Sequence, residues 1–141
     1  MTADDLPIAL GMNRDFRAGF AEEEALCAFL NSPDCWLFAA LEEGRIIGFA
    51  YGYALQRLST ERKMLYVHEV GVLPAYQRQG VGSMLMKKLK EACGTENICK
   101  MFLTCYQSNA GANALYQKAG GQAGVESQGN DTVYWFQIPE Q

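Results

Sequence analysis

The sequence predicts an α/β fold in which helices cover one mixed β-sheet, built as a single domain over residues 1–141. Three observations predict it. Apolar positions change period along the chain, in the order two helices, three strands, helix, strand, helix, strand. A length of 141 residues fits one domain with a buried core of its own. Apolar residues at 49% and charged residues at 20% are ordinary globular usage, which excludes a disordered or fibrous chain. No internal repeat, low-complexity tract or linker interrupts the pattern.

Residues 4–10 suit a first helix, with Thr2 or Asp4 as cap, Pro7 in the first turn and Gly11 as the stop. Residues 21–30 suit a second. Glu22, Glu23 and Glu24 sit in its first turn, where the helix dipole favours carboxylates, and Ala25, Leu26, Phe29 and Leu30 form its apolar stripe. Asn31-Ser32-Pro33 ends it. Residues 35–41 and 45–55 read as a hairpin turning at Glu42-Glu43-Gly44. Gly48 and Gly52 weaken that second strand unless something packs close to its backbone. Residues 64–72 form a third strand, rich in β-branched and aromatic side chains. A loop over residues 74–79 leads into a helix from Gly80 to about Cys93, with Val81, Leu85, Leu89 and Cys93 on one face. Residues 98–105 are a strand, 109–118 a helix closed by Gly120-Gly121, and 132–138 a last alternating strand.

Charge narrows the partners. Twelve basic against sixteen acidic residues leave a net charge of −4, which disfavours a nucleic-acid partner, since that wants a basic face. Residues 1–43 hold nine acids and two bases, whereas residues 44–141 hold seven acids and ten bases. An acidic first third suits a cationic ligand and a basic remainder an anionic one. No apolar run reaches the length of a membrane span, and the acidic Met1-Thr2-Ala3-Asp4-Asp5 lacks the basic start of a signal peptide, so the expected location is the cytoplasm. The five cysteines, Cys27, Cys35, Cys93, Cys99 and Cys105, show no CxxC spacing, and the single histidine, His68, completes no metal-ligand pattern with them. They read as free thiols in a reducing compartment, and no metal is expected.

The chemistry concentrates in Val70-Gly71-Val72-Leu73-Pro74-Ala75-Tyr76-Gln77-Arg78-Gln79-Gly80-Val81-Gly82-Ser83, where a strand feeds a glycine-bearing loop that opens directly into a helix. The first N–H groups of a helix lack intrahelical partners and carry partial positive charge; glycines let an anion approach them closely. Arg78 adds a full charge. The stretch is a phosphate cradle that matches neither the P-loop nor the dinucleotide fingerprint.

Gln77-x-x-Gly80-x-Gly82 after a Val-x-Val strand end resembles the acetyl-coenzyme A pyrophosphate motif of the GNAT superfamily of N-acetyltransferases. Asn109-x-x-Ala112-x-x-Leu115-Tyr116-x-Lys118-x-Gly120, some 26 residues later, resembles the second motif of that superfamily. The resemblance covers roughly residues 35–138. It implies a mostly antiparallel mixed sheet and acetyl-coenzyme A as co-substrate. Within the superfamily, Tyr53-Ala54-Leu55-Gln56-Arg57-Leu58, Leu65-Tyr66-Val67-His68-Glu69-Val70-Gly71-Val72 and Asp131-Thr132-Val133-Tyr134-Trp135-Phe136 are similar to the aminoglycoside 3-N-acetyltransferases. The chain departs from the superfamily pattern by starting at the first helix, as if its first strand were missing or truncated. The open sheet edge this would leave suits a homodimer. Gly120-Gly121 replaces the usual Gly-Phe, and the segment between the first two helices is shorter than in the aminoglycoside group.

The resemblance implies roles. Gln77, Arg78, Gln79, Gly80, Val81, Gly82 and Ser83 would hold the pyrophosphate. The backbone of Val70 and Val72 would hold the acetyl carbonyl and the pantetheine, with Asn109 capping its helix and reaching the same arm. Glu69 is the candidate general base and holder of the acceptor cation, with His68 as the alternative base; on a regular strand the two point to opposite faces. Tyr116, with an ordinary pKa of about 10, is the candidate acid toward the leaving thiolate. Asp131 and Asp34, and behind them Asp15, Glu22, Glu23 and Glu24, are candidates for binding a cationic acceptor. Cys105 has no evident base partner, so direct attack in a ternary complex is expected over an acetyl-enzyme. The expected activity is acetyl transfer to a primary amine, first of all the 3-amino group of an aminoglycoside antibiotic. The alternatives are another small amine, a protein amino group, or a non-catalytic acetyl-coenzyme A-binding module.

Overall fold

The computed structural model describes residues 1–124 and 127–139. Thr2 opens the chain with a capping box: its hydroxyl accepts from the Asp4 N–H, and the Asp5 carboxylate accepts from the Thr2 N–H at 2.8 Å. A 3-10 turn over Ala3–Asp5 leads into α1, Leu6–Leu10. Gly11, expected as a stop, keeps a right-handed helical conformation, and the chain continues into α2, Met12–Asp15. A glycine closes a helix when it turns left-handed, and here φ is −59°. The second predicted helix is α3, Glu23–Asn31. Glu22 is its cap, accepting from the N–H groups of Glu24 and Ala25.

The hairpin is β1, Cys35–Glu42, with β2, Arg45–Leu55, followed by β3, Lys63–Val72. Helix α4, Val81–Thr95, leads to β4, Ile98–Tyr106. Helix α5, Ala110–Lys118, starts from Asn109, whose Oδ1 accepts from the Ala112 N–H at 3.0 Å. A two-residue strand β5, Gln122–Ala123, was not expected; it is too short to carry any periodicity. Strand β6, Asp131–Gln137, is the last element among the described residues.

The six strands lie in the order β1-β2-β3-β4-β6-β5, and only β3 and β4 are parallel neighbours. The mixed, mostly antiparallel sheet therefore agrees with expectation. One core lies between the sheet and α4 and α5, with Met86, Leu89, Met101 and Phe136 fully buried. A second lies on the opposite face under α1 to α3, around Ala9, Met12, Leu37 and Phe49.

Two irregularities position the site. Strands β3 and β4 pair only from Lys63↔Ile98 to Tyr66↔Phe102, and then diverge. From Val67 on, among the described residues, the β4-facing edge of β3 has no strand partner, while β2 stays paired to it as far as Val72. The second is a bulge. Tyr51 pairs Glu69 and Gly52 pairs Val67, which leaves His68 as the extra residue. Gly52 fits because a Cβ there would collide with the Tyr66 carbonyl.

Candidate active site

The divergence of β3 from β4 opens a V-shaped cleft through the sheet. One mouth is a cavity of about 450 Å³ lined by Val70 and Val72 on one bank, the start of α4, and Asn109 and Tyr116 on the other. Its opposite mouth is a cavity of about 440 Å³ that shares Val70, Asn109 and Tyr116 and adds His68, Glu69, Cys105 and Asp131.

The cradle is built by the loop that follows β3. Gln77 donates through its side-chain amide to the Val72 carbonyl at 3.1 Å, and Gln79 to the Ala75 carbonyl at 2.9 Å. Both amides therefore brace the loop. Gln77, Arg78, Gly80, Val81, Gly82 and Ser83 line the cavity, whereas Gln79 does not. Arg78 and Gly80 both take left-handed φ values, 63° and 83°. Gly80 precedes α4 with no side chain capping the helix, so the first N–H groups of α4 face the cavity with their partial charge unanswered. Gly82 gives clearance: a Cβ there would stand 3.0 Å from Leu115 of α5. Lys90 ties the far end of α5 to α4 by donating to the Ala119 carbonyl at 2.9 Å. An uncapped helix start, an arginine and a narrow apolar slot between two open strand edges fit a diphosphate followed by a slender acyl-thioester arm.

Tyr116 is 7% exposed and packs against the Tyr134 ring at 5.8 Å. Burial first, and the neighbouring Cys105 second, push its phenol up to about 12, so it keeps its proton throughout the neutral range. No hydrogen bond engages its hydroxyl among the described residues. The Cys105 thiol donates to Asn113 Oδ1 at 3.5 Å, and burial pushes its pKa up, aided by Asp131. A protonated thiol is a poor nucleophile.

Glu69 is engaged. Arg17 Nη1 and Nη2 donate to its two oxygens at 2.8 and 3.0 Å, and the Tyr51 hydroxyl donates to Oε1 at 3.3 Å. The Arg17 hydrogen bonds hold the Glu69 carboxyl below the usual carboxylate range; desolvation opposes them. The bulge corrects the expected geometry of its neighbour. His68 does not face away from Glu69: its ring lies 5.4 Å from that of Tyr51, which also bonds Glu69, and its Nδ1 sits 3.1 Å from the Tyr66 hydroxyl. Strand alternation fails there because a bulge puts consecutive residues on one side.

The proposed acidic rim separates. Asp131 lines the cleft. Asp34 does not: it lies outside the cleft lining, just before β1, and accepts from Lys63 Nζ at 2.7 Å. Asp15 is paired with Arg14 at 2.9 Å and Arg45 at 3.4 Å. Glu22 caps α3, and Glu23 and Glu24 lie exposed in its first turn. Sequence reasoning missed Arg17 and Tyr51. Register with Glu69 points to Tyr51 only when the bulge is known, and nothing in the pattern pairs residues 17 and 69.

Among the described residues no three His, Cys, Asp or Glu side chains converge as metal ligands, and no helix is long and apolar enough to cross a membrane. Residues 8–121 match the family described as Acetyltransferase (GNAT) family. The RimI N-alpha-acetyltransferase of Mycobacterium tuberculosis is 31% identical over 137 residues, covering 86% of this chain and 83% of that one. The thialysine N-epsilon-acetyltransferase of Mus musculus is 29% identical over 84 residues, 60% of this chain, and the match spans about half, 49%, of the mouse enzyme's length. An aminoglycoside acetyltransferase from an uncultured soil metagenomic sample, solved with sisomicin, has the same fold, with a TM-score of 0.82, 22% identity, and coverage of 92% of this chain and 90% of that one. Neighbours of this fold are solved with coenzyme A or acetyl-coenzyme A. With the divided sheet and the cradle beneath it, these matches identify the chain as a member of the acetyltransferase (GNAT) family and an acetyl-coenzyme A-dependent N-acetyltransferase.

Proposed function

We propose that the protein acetylates a primary amine on a small soluble cation by direct attack in a ternary complex, with the 3-amino group of an aminoglycoside as the first acceptor to test. The observation that carries the reading is one cleft with the α4 start at one mouth, Glu69 at the other, and Tyr116 lining both. Attack forms an N–C bond to the acetyl carbon and breaks its C–S bond; the amine gives up a proton and the thiolate takes one. The α4 start and Arg78 hold the pyrophosphate. The open edge of β3 at Val70 and Val72 offers backbone groups to the acetyl carbonyl and the pantetheine. Glu69 holds the ammonium and takes its proton, directly or through water. Tyr116 returns a proton to the sulfur; its raised pKa keeps that proton on the phenol until the thiolate forms.

A second reading is favoured by one observation: the likeness to RimI extends over most of both chains, and that enzyme is an N-alpha-acetyltransferase. The acceptor would then be the amino terminus of a protein. Thiol release from acetyl-coenzyme A, measured with sisomicin, spermidine and a hexapeptide with amino-terminal alanine, separates the two. Turnover confined to sisomicin supports the first reading and turnover confined to the peptide the second. No turnover with any, alongside coenzyme binding, defeats both and favours a binding module. Residues 1–141 act as one domain in either reading, located in the cytoplasm, and the open edge of β1 serves a homodimer.

A further inference from the structure

Among the described residues, Glu69 is the acid of the cleft that is paired with a basic side chain, Arg17, and that partner comes from a loop built to deliver it. Asn13 closes the loop by bonding Ala21 twice, its amide nitrogen to the carbonyl and its oxygen from the N–H, both at 2.7 Å. Phe16 and Phe20, on either side of Arg17, set their ring edges on Phe49 at 4.8 and 5.1 Å between centroids. The loop is thereby pegged at four points, and the Arg17 side chain reaches out of it to Glu69. The guanidinium lies 4.2 Å above the Phe20 ring and bonds both Glu69 oxygens, with the Tyr51 hydroxyl completing the carboxylate. A carboxylate, a phenol and an aromatic face are the components of a cation site. The Arg17 side chain is 56% exposed, whereas that of Glu69 is only 28% exposed. Glu69 stays partly wetted and its pair with Arg17 is that of a partly exposed ion pair, so an acceptor ammonium can take the place of the guanidinium at modest cost.

We infer that Glu69, Tyr51 and Phe20 form the subsite for the acceptor's ammonium group, and that Arg17 is an internal cation that fills this subsite until the acceptor exchanges for it. The inference rests on the proposed role of Glu69 and adds the residue that competes with the acceptor. Arg17 is then a specificity-determining residue: it sets a threshold that a weakly held amine does not pass, and it keeps Glu69 ionised in the empty enzyme.

The test is binding, read separately from turnover. Calorimetry with sisomicin, spermidine and the alanine-terminated hexapeptide is run on the coenzyme A-loaded protein, as wild type, Arg17→Met and Arg17→Lys. Removing a competitor worth an exposed ion pair should tighten binding of the acceptor-like cation about threefold to tenfold in Arg17→Met. Arg17→Lys, which keeps the charge and loses the fork, should fall between. Coenzyme A affinity, unchanged in all three, reports intact folding. Unaltered or weaker cation binding in Arg17→Met overturns the inference, as does the absence of binding in every variant. A loss confined to the peptide, which carries a carboxylate, also overturns it and makes Arg17 an anchor for the acceptor's anion. The thiol-release panel tests the proposed function on its own: turnover by wild type with no gain in Arg17→Met leaves that function standing and removes only the competitor.

Discussion

Tyr116 and Glu69 carry opposite perturbations, and each sets a measurable outcome. Burial holds the Tyr116 proton up to about 12, so the enzyme should show no alkaline loss of kcat from this group below about pH 10. Rate should instead climb with pH as the acceptor amine loses its own proton. Tyr116→Phe should lower kcat about tenfold to a hundredfold with coenzyme A affinity little changed, measured by thiol release and calorimetry. Glu69 is shifted the other way. Because its folded pKa is depressed, the stabilisation it provides is complete at neutral pH and disappears as acidification passes that depressed value. Glu69→Gln should therefore flatten the acid side of the stability profile, seen as a smaller fall in Tm between pH 6 and the acid range, and should also weaken binding of the acceptor cation.

At the scale of elements, the cradle and the bulge depend on glycines for different reasons. Gly80→Ala places a Cβ in a left-handed turn, which costs about 1 to 2 kcal/mol. It should lower coenzyme A affinity together with Tm. Gly52→Ala drives a Cβ into the backbone opposite the bulge and should cost more, about 2 kcal/mol or above by denaturant titration, and disturb His68 and Glu69 with it. Helices and strands of eight or more residues were legible because period 3.6 and period 2 leave marks at that length, and α4 and β2 follow the expected bounds closely. The strand-to-helix loop was legible because its glycines and arginine have a local purpose. What escaped was long-range or off-period. Strand β5 is two residues long, the His68 bulge leaves no trace in an ordinary-looking strand, and the Arg17–Glu69 pair joins positions 52 residues apart. Gly11 misled because a glycine inside a helix and one that ends it look alike in sequence.

For the whole molecule, the acidic first third resolves into local pairs. Asp15, Asp34 and Glu22 are held by Arg14 and Arg45, by Lys63 and by a helix start, so the net charge of the segment does not gather at the cleft. Acceptor capture then depends on short-range contacts at Glu69 and Asp131. The KM for a cationic acceptor should rise less than about threefold between 50 and 300 mM salt, a shallow dependence that a steady-state salt series checks. A steep rise would restore the extended acidic rim that the composition suggested.

Because β3 and β4 share so few pairs, the sheet is two ribbons stitched at one end. Along β3, amides that point to β2 lie inside a ladder broken only at the His68 bulge, while those that point across the gap beyond Tyr66 have no strand to bond among the described residues. One strand thus carries two exchange clocks, a slow one on its inner margin and a fast one on its outer margin. A thioester arm that lies in the gap supplies the absent strand in chemical effect. Its arrival should bring the fast set to the pace of the slow one, so that amide exchange along a single strand becomes a register of coenzyme occupancy.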